Sequence, residues 1–579
     1  MPAPDAVTSR QPTVAALWAG ALLGLTTIVL GYWGFYQYLP AGGSYDRGIV
    51  DVTYAVLQLF VMGSDPLQAG GHVPVALQVA RLTAPAVTLI AVIETARLLL
   101  SDQAGRLRAR RARGHAVVCG DSSAARSLVL RLRALGRRVV MVRAVPVEPV
   151  DIRGTELLTI TGDASDPDVL RGAGVEHADV VYAATDDSAA NVSIAVAAGR
   201  LTEPRSVPTA VYAQVHDQEL CIALQARRLT VAQPPGLRLD FFNVDELAAR
   251  VLFLRDPLDP DTPTVPRLLI AGGSPFARAI LVEAARQWRL RNGTARGRLV
   301  VDYVADDARA ALAVLQNRYR FLPEVCQANP YELPLPILFA GKVFTEPHER
   351  AFICYPDEEQ GLKVALTTQR LWHGQCRSVL VPLIHLAGLA TAFHGPHGVP
   401  LLDEIGGALR LYPLVEAACD PTIIGEDLLE RLGRLIHEHY LVGCQRRGEA
   451  VPTGALADWA GLDDEHRRAN RAQAADIGSK LHVIGCVVLP CVGIGIPFAF
   501  QDDEVELLAE REHRRWKAQQ EREGWRPAHQ RDDRRRLSPY LVDWELLTED
   551  LRRKSRDAVR DTTAILADAG FDIVRSAAT

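Results

Sequence analysis

Several features that would classify this sequence quickly are missing from it. Its nine cysteines are scattered with no C-x-x-C pair, which excludes a disulfide framework and a zinc signature and leaves Cys486 and Cys491 as packed thiols. A net charge of -5 over 579 residues gives no electrostatic footprint for nucleic acid. The first dozen residues lack the basic start and small-residue cleavage site of a signal peptide. No acid–base pair or nucleophile constellation stands beside a glycine turn, so an enzyme is not expected. One absence is local: from Gln11 to Ser44 no charged side chain occurs.

That gap is a membrane signal. Val14–Leu39 is long enough to cross a hydrocarbon core of roughly 30 Å at about 1.5 Å per residue, with Trp33, Tyr36 and Tyr38 near an interface. A second apolar stretch, Val73–Leu100, carries Arg81, Pro85 and Glu94. It reads as an interrupted anchor with snorkelling charges or, preferred here, as a pore-lining helix hinged at Pro85 with Glu94 facing water. Arg106, Arg108, Arg110, Arg111 and Arg113 follow, and the positive-inside rule then places the remainder in the cytoplasm. The expectation is a cell-membrane protein in contact with lipid, with two spans and both termini cytoplasmic.

At this length the chain should hold about four domains. From His115 to Leu201 short apolar runs (Ala116–Cys119, Val139–Val142, Leu157–Thr161, Val180–Ala184) alternate with segments of helical period, the pattern of βαβ units on a parallel sheet. The first run enters Gly120-Asp121-Ser122-Ser123-Ala124-Ala125, a degenerate G-x-G-x-x-A dinucleotide turn in which Ser122 narrows the approach of a pyrophosphate. Arg143 stands where an acid would bond a ribose hydroxyl, and suits phosphate better. A scaffold that only packs remains the alternative.

Together with Gly162-Asp163-Ala164, Asp166, Leu170, Ala173-Gly174, Ala178, Ala184-Thr185-Asp186-Asp187 and Asn191, this stretch resembles the RCK family, regulators of K⁺ conductance whose Rossmann half is also called the Trk-type N-terminal domain. The resemblance implies that a nucleotide or ion held by the glycine turn and the GDA acid shifts a ring that opens a membrane pore. It implicates Gly120, Ser122, Ala125, Gly162, Asp163 and Thr185, with Arg143 in place of the usual acid. NAD(H), ATP or ADP, and an ADP-ribose-type ligand remain open, and a homotetramer is implied.

In the membrane region, the segment from Asp51 to Asp65 has the layout of the pore helix and filter of two-helix potassium channels. Where that family has T-V-G-Y-G-D, this chain reads Phe60-Val61-Met62-Gly63-Ser64-Asp65 and keeps only the valine and the aspartate. Channel-like architecture is expected to survive the loss of those glycines, while a potassium-selective carbonyl path is harder to form.

Beyond the first half, Val207–Val215 reads as a strand, Phe241–Leu254 as a helix and Asp256–Pro266 as a linker. The pattern then repeats: Arg267–Ala271, Gly272-Gly273-Ser274-Pro275-Phe276-Ala277, a helix and Leu299–Val304, so both halves read G-x-S-x-x-A. This second half resembles another RCK unit, and its turn is expected to pack without a ligand.

The C-terminal part holds a second internal repeat. Leu507–Trp516, Gly524-Trp525, Asp532-Asp533, Leu537–Leu541 and Trp544–Leu547 resemble the RyR domain, the repeat of ryanodine receptors. An earlier degenerate copy keeps the spacing from Trp459 to Gly485 that the later copy has from Trp544 to Gly570. His513, Trp516, Trp525, Tyr540 and Trp544, with Arg552, Arg553 and Arg556, either form an aromatic and cationic pocket for a nucleobase and phosphates or divide into core rings and a solvated helix face. His437, Glu438 and His439 lack the further ligands of a metal site, and the run Arg531–Arg536 is read as a solvated loop.

The expected fold is therefore an α-helical membrane region plus α/β: tandem Rossmann-like doubly wound parallel sheets followed by mainly α-helical RyR repeats. The expected divisions are a tail (1–12), a two-span region (13–104) with the pore-helix-like segment at 50–65, a basic linker (105–114), Rossmann domains at 115–255 and 267–398 joined by a linker (256–266), and repeats at 399–495 and 496–579. The expected function is a nucleotide-gated cation channel or its regulatory subunit. The alternative is a membrane-anchored effector answering a nucleotide second messenger in antiphage defence, without potassium selectivity.

Overall fold

The structure is a computed structural model that describes residues 14–39, 48–63, 72–145, 157–203, 207–231, 236–258, 265–292, 297–372, 376–385, 389, 393, 402, 408–447, 459, 461–491, 498–530, 532 and 534–576. Residues 1–108 form one compact unit and residues 109–579 another.

The first unit contains α1 (Val14–Tyr38), α2 (Ile49–Phe60) and most of α3 (Val75–Arg111). Phe35, Val56, Leu59, Leu77, Ala80 and Ala84 are buried among the three helices. Hydroxyls lock them: Thr27 donates to Thr83 at 3.0 Å, and Thr88 donates to the Phe60 carbonyl at 3.0 Å. Leu22, Leu25 and Val29 on α1 and Leu82, Leu89 and Ile93 on α3 remain exposed. Among the described residues, Val75–Ile93 is long and apolar enough to cross a membrane.

Two expectations change here. α3 passes through Pro85 without a break and continues to Arg111, so most of the expected basic linker is helix. The arginines that follow the apolar span have good helix propensity, and no Gly or Pro intervenes before Gly114 except Gly105. The expected filter also takes another form. Gly63 N–H bonds the Gln58 carbonyl at 2.8 Å and Met62 N–H the Leu59 carbonyl at 3.3 Å. This 6→1 and 5→2 pair is a Schellman cap that ends α2. Val61, Met62 and Gly63 therefore close a helix instead of extending as a row of carbonyls, with Met62 at a φ of 62°. Ser64 and Asp65 lie outside the described residues, as does the side chain of Glu94.

The second unit opens with β1 (Ala116–Cys119), α4 (Ser123–Ala134), β2 (Val139–Arg143), β3 (Leu158–Thr161), α5 (Pro167–Gly172), β4 (Val180–Ala183), α6 (Ser188–Leu201), β5 (Thr209–Gln214), α7 (Gln218–Leu229), β6 (Leu237–Phe242) and α8 (Val244–Arg255). All six strands are parallel in the order β3-β2-β1-β4-β5-β6. The continuous apolar runs of β1, β2 and β4 are buried throughout, as a sheet covered on both faces requires. Asp187, Asp217 and Asn243 start α6, α7 and α8 by accepting free backbone N–H groups.

The same order is built again from β7 (Arg267–Ala271), α9 (Pro275–Asn292), β8 (Leu299–Val304), α10 (Ala308–Arg318), α11 (Leu322–Val325), β9 (Cys326–Tyr331), α12 (Leu335–Ala340), β10 (His348–Ile353), α13 (Glu358–Thr367), β11 (Cys376–Leu383) and β12 (Leu409–Pro413). The sixth strand, β12, lies beyond the expected boundary at 398 and pairs in parallel with β11 through Val379–Leu409 to Leu383–Pro413. It covers an edge that β11 would otherwise leave open. The two halves share one core: Leu128, Tyr182 and Phe253 belong to the same buried cluster as Phe276, Ile280 and Trp288.

α14 (Leu414–Ala418) and α15 (Pro421–Gly425) lead into two copies of a helix–helix–strand unit. One is α16 (Leu428–Arg447), α17 (Asp464–Val483) and β13 (Cys486–Pro490). The other is α18 (Asp502–Arg522), the short parallel pair β14 (Arg526–Pro527) and β15 (Leu537–Ser538), α19 (Glu549–Asp568) and β16 (Phe571–Arg575). β13 and β16 pair antiparallel about Val488 and Ile573, so each copy supplies one strand of a two-stranded sheet. The spacing read from the sequence is matched in three dimensions: His437 packs on Trp459 at 6.2 Å in one copy and His513 on Trp544 at 5.9 Å in the other.

Candidate nucleotide site

The carboxyl ends of β1 to β4 bring the expected site residues of the first half together at the point where strand order reverses, the usual crevice of a doubly wound sheet. Gly120 N–H bonds the Val142 carbonyl and Gly162 N–H the Arg143 carbonyl, each at 2.9 Å, which sets the two glycine turns side by side. Ser122 caps α4 by accepting from Ala125 N–H at 3.0 Å and donates to the Ala184 carbonyl at 2.5 Å. Ala125 is buried beneath the turn. Asp163 is exposed and accepts from both the backbone N–H and the hydroxyl of Ser165. Those bonds hold its carboxyl below the usual range. Thr185 is fixed by Asn191, whose Oδ1 accepts from its N–H at 2.7 Å and its hydroxyl at 2.8 Å.

The glycines of the two halves have one packing reason in common. A Cβ on Gly120, at a φ of 119°, would stand 2.5 Å from the Ala184 carbonyl oxygen. On Gly272, at a φ of 110°, it would stand 2.2 Å from that of Cys354. Both turns are pressed against the end of the fourth strand, a requirement that exists without any ligand. In the second half Ser274 accepts from Ala277 N–H at 3.2 Å, repeating the helix cap.

Arg143 separates the halves chemically. The residue is 9 % exposed; its guanidinium donates to Asp121 at 2.7 Å, while its Nε is buried without a hydrogen-bond partner. A cationic side chain near the amino end of α4 suits an anion, although Asp121 already holds one side of this guanidinium. The residues at this turn thus fit a phosphate-bearing ligand, with Ser122 keeping the backbone approach narrow.

In the later C-terminal copy, His513 lies against Trp516 and Trp544, and its Nε2 pairs with the Val542 carbonyl at 2.8 Å. Arg552 sits 5.8 Å over Trp544 and donates to the Trp544 and Glu545 carbonyls. These four residues form a packed clasp over a core of Leu508, Leu547 and Val559. The other expected pocket residues diverge. Trp525 bonds Glu465 of the earlier copy at 3.1 Å, Arg556 engages Glu506 and Glu549, and Arg553 pairs at the surface with Asp550. Tyr540 is half-buried, and its N–H bonds the Ser538 hydroxyl. Lys480 of one copy and Glu512 of the other form a buried ion pair that Arg515 completes at 2.8 Å.

Sequence reasoning missed a cleft of about 1090 Å³ lined by α9, α16 and α19. Its signal was available in the helical spacing of Arg431, Arg434, Leu435 and Glu438, but three helices far apart in sequence had to be brought together to show it.

Residues 116–232 match the TrkA-N domain and residues 499–575 the RyR domain, so the first Rossmann half carries a TrkA-N domain and the C-terminus an RyR domain. No curated protein matches the chain. Among solved structures, the GsuK structure bound to ADP is 14 % identical and covers 71 % of this chain and 96 % of its own, at a TM-score of 0.34. The GsuK channel bound to NAD is 11 % identical over 71 % of this chain and 82 % of its own, again at 0.34. Dipicolinate synthase A chain from Bacillus subtilis is 10 % identical over 58 % and 98 %, at 0.21. Likeness at these values carries no functional inference.

Proposed function

We propose that the chain is a membrane-held sensor of a nucleotide-type ligand, with α1 and α3 as two spans of a cation conduit or of the regulatory subunit of one. The observation that carries this reading is Arg143, a cation at the end of β2 beside the glycine turn that starts α4, within the residues that match the TrkA-N domain. Gly120, Ser122, Ala125, Gly162, Asp163 and Thr185 shape the surrounding crevice, and ADP, ATP, NAD(H) and ADP-ribose are the ligand candidates. A ligand that binds two arrangements of the Rossmann and RyR domains unequally shifts the balance between them by its difference in affinity. The chain performs no chemistry in this reading. α1, with 25 residues and no charged side chain, spans about 37 Å, more than a hydrocarbon core needs. Two spans place the amino terminus and the Rossmann and RyR domains on the cytoplasmic side, and subunits assemble as a tetramer.

The test is conductance of the purified protein in planar bilayers as each nucleotide is added. Ligand-dependent current steps are expected, and silence with every nucleotide overturns the conduit.

The cap at Val61–Gly63 favours a second reading, a membrane-anchored effector that answers a nucleotide second messenger in antiphage defence without potassium selectivity. Ligand-triggered release of a trapped dye from vesicles, alongside potassium and sodium fluxes of similar size, would select it. A flux confined to potassium would exclude it.

A further inference from the structure

The conduit reading leaves Arg81 without a task. α1 carries no charged side chain, and within Val75–Ile93, the apolar part of α3, Arg81 is the one charged residue. A charge at membrane depth is costly to hold unless it is paired or wetted. Arg81 is exposed and makes no hydrogen bond or ion pair among the described residues. Glu94, the next charged residue on α3, lies thirteen positions further on, about 20 Å along the axis and too far to neutralise it.

Helix geometry places Arg81 away from lipid. Leu77, Ala80 and Ala84 are fully buried and mark the side of α3 that packs on α1 and α2. Val75, Val79, Leu82, Leu89 and Ile93 are exposed and recur at i, i+4, i+7, i+14 and i+18, one apolar stripe on the far side, which suits acyl chains. At about 100° per residue, Arg81 lies about 40° from Leu77 and about 100° from Leu82, on a flank between the two faces. Thr88, two turns later on that flank, donates to the Phe60 carbonyl at the end of α2, whereas Thr83 on the opposite flank accepts from Thr27 of α1. Arg81 thus shares the flank on which α2 ends, and exposed Gln78 lies one turn before it.

A guanidinium on that flank meets either another subunit or the water of a conduit. In a second copy, α1 and Val75–Ile93 hold no acid to pair with it, so contact with those spans would desolvate the charge without compensation. Water in a conduit solvates it with no partner at all.

We infer that Arg81 faces the conduit and sets its charge selectivity. Copies of the chain around the axis present a ring of guanidinium groups that repels cations and draws in chloride, so a small monovalent anion carries part of the current. Rings of Arg or Lys are the general device of anion-passing pores. The inference rests on the conduit reading and alters its ion: the helix cap at Val61–Gly63 offers no row of carbonyls to favour potassium, and Arg81 opposes every cation alike.

The experiment is the reversal potential of the full chain in planar bilayers across an about tenfold potassium chloride gradient, with ADP, ATP, NAD⁺ and ADP-ribose present. Wild type and Arg81→Lys are expected to reverse well short of the potassium equilibrium potential. Arg81→Gln should move at least halfway from the wild-type value towards it, and Arg81→Glu further; Arg81→Gln carries the test if Arg81→Glu does not fold. With potassium replaced by the bulky cation N-methylglucamine, current should persist in wild type and fall at least about fivefold in Arg81→Gln. A wild type that reverses at the potassium equilibrium potential overturns the inference. So does a reversal potential that Arg81→Gln and Arg81→Glu leave unmoved, the result expected of an arginine that reaches lipid headgroups. Both of those results come with a current and spare the conduit, whereas a chain silent with every nucleotide loses the conduit and this inference with it.

Discussion

Asp240, in β6 of the first sheet, accepts the backbone N–H of Leu428, the first residue of α16, at 2.6 Å. A side chain of the Rossmann core thereby satisfies one of the open donors at the start of a C-terminal helix almost two hundred positions away. Beside it, Arg238 donates to Asp427 at 2.5 Å, and Asp427 accepts Glu430 N–H at 3.0 Å. This joint fixes the orientation of α16, and with it the arginines of the cleft.

Replacing Asp240 with alanine should destabilise the protein by about 1–2 kcal/mol, the usual worth of a lost cap, with Asp240→Asn milder because it keeps an acceptor. Chemical denaturation of the two variants checks the order. Equal stability of wild type and Asp240→Ala would mean that this joint does not hold α16.

Gly120→Ala should cost more than about 2 kcal/mol, because its Cβ would meet the Ala184 carbonyl at 2.5 Å in a backbone conformation that suits glycine. Ser122→Ala should cost only about 1 kcal/mol, the loss of a helix cap. Thermal unfolding without any nucleotide separates the two. A tolerant Gly120 would mean that this glycine serves a ligand and not the packing.

The Lys480–Glu512–Arg515 cluster ties one C-terminal copy to the other. Burial raises the pKa of Glu512, but Lys480 and Arg515 outweigh burial and bring it to about 2. The folded value lies below that of an unfolded glutamate, so the contribution is complete above the unfolded value and is lost as pH falls through about 2. Glu512→Gln should cost roughly 3 kcal/mol at neutral pH, by leaving Lys480 buried with less counter-charge. Its stability should also fall less steeply than that of wild type between pH 4 and pH 2. Denaturation curves across that range provide the check.

Met62 holds the left-handed position of the α2 cap, where glycine carries no Cβ penalty. Met62→Gly should therefore raise stability in detergent by about 1 kcal/mol. A destabilised variant would mean that the methionine side chain contributes more than its backbone costs.

The Rossmann halves were legible because their information is local. Apolar runs of four to six residues, glycine turns and capping acids specify strands and helices in place, and a buried parallel sheet leaves such runs few other fates. The glycine-turn residues were legible for the same reason, whereas the packing need behind Gly120 and Gly272 was not, because the carbonyls they avoid belong to the fourth strand. The sixth strand of the second half escaped because Leu409–Pro413 is short and becomes a strand only beside β11.

By itself the sequence determined the charge-free first helix, the two βαβ series and the repeat that places Trp459 and Trp544 alike. Tertiary structure alone decided that the two Rossmann halves share one core. It also decided that the tryptophan clasp packs while Arg250, Arg431 and Arg434 face a common cleft. The physical reason is that backbone preference and hydrophobic period act within a few residues, whereas burial, repulsion and unmet hydrogen bonds depend on what the rest of the chain brings alongside.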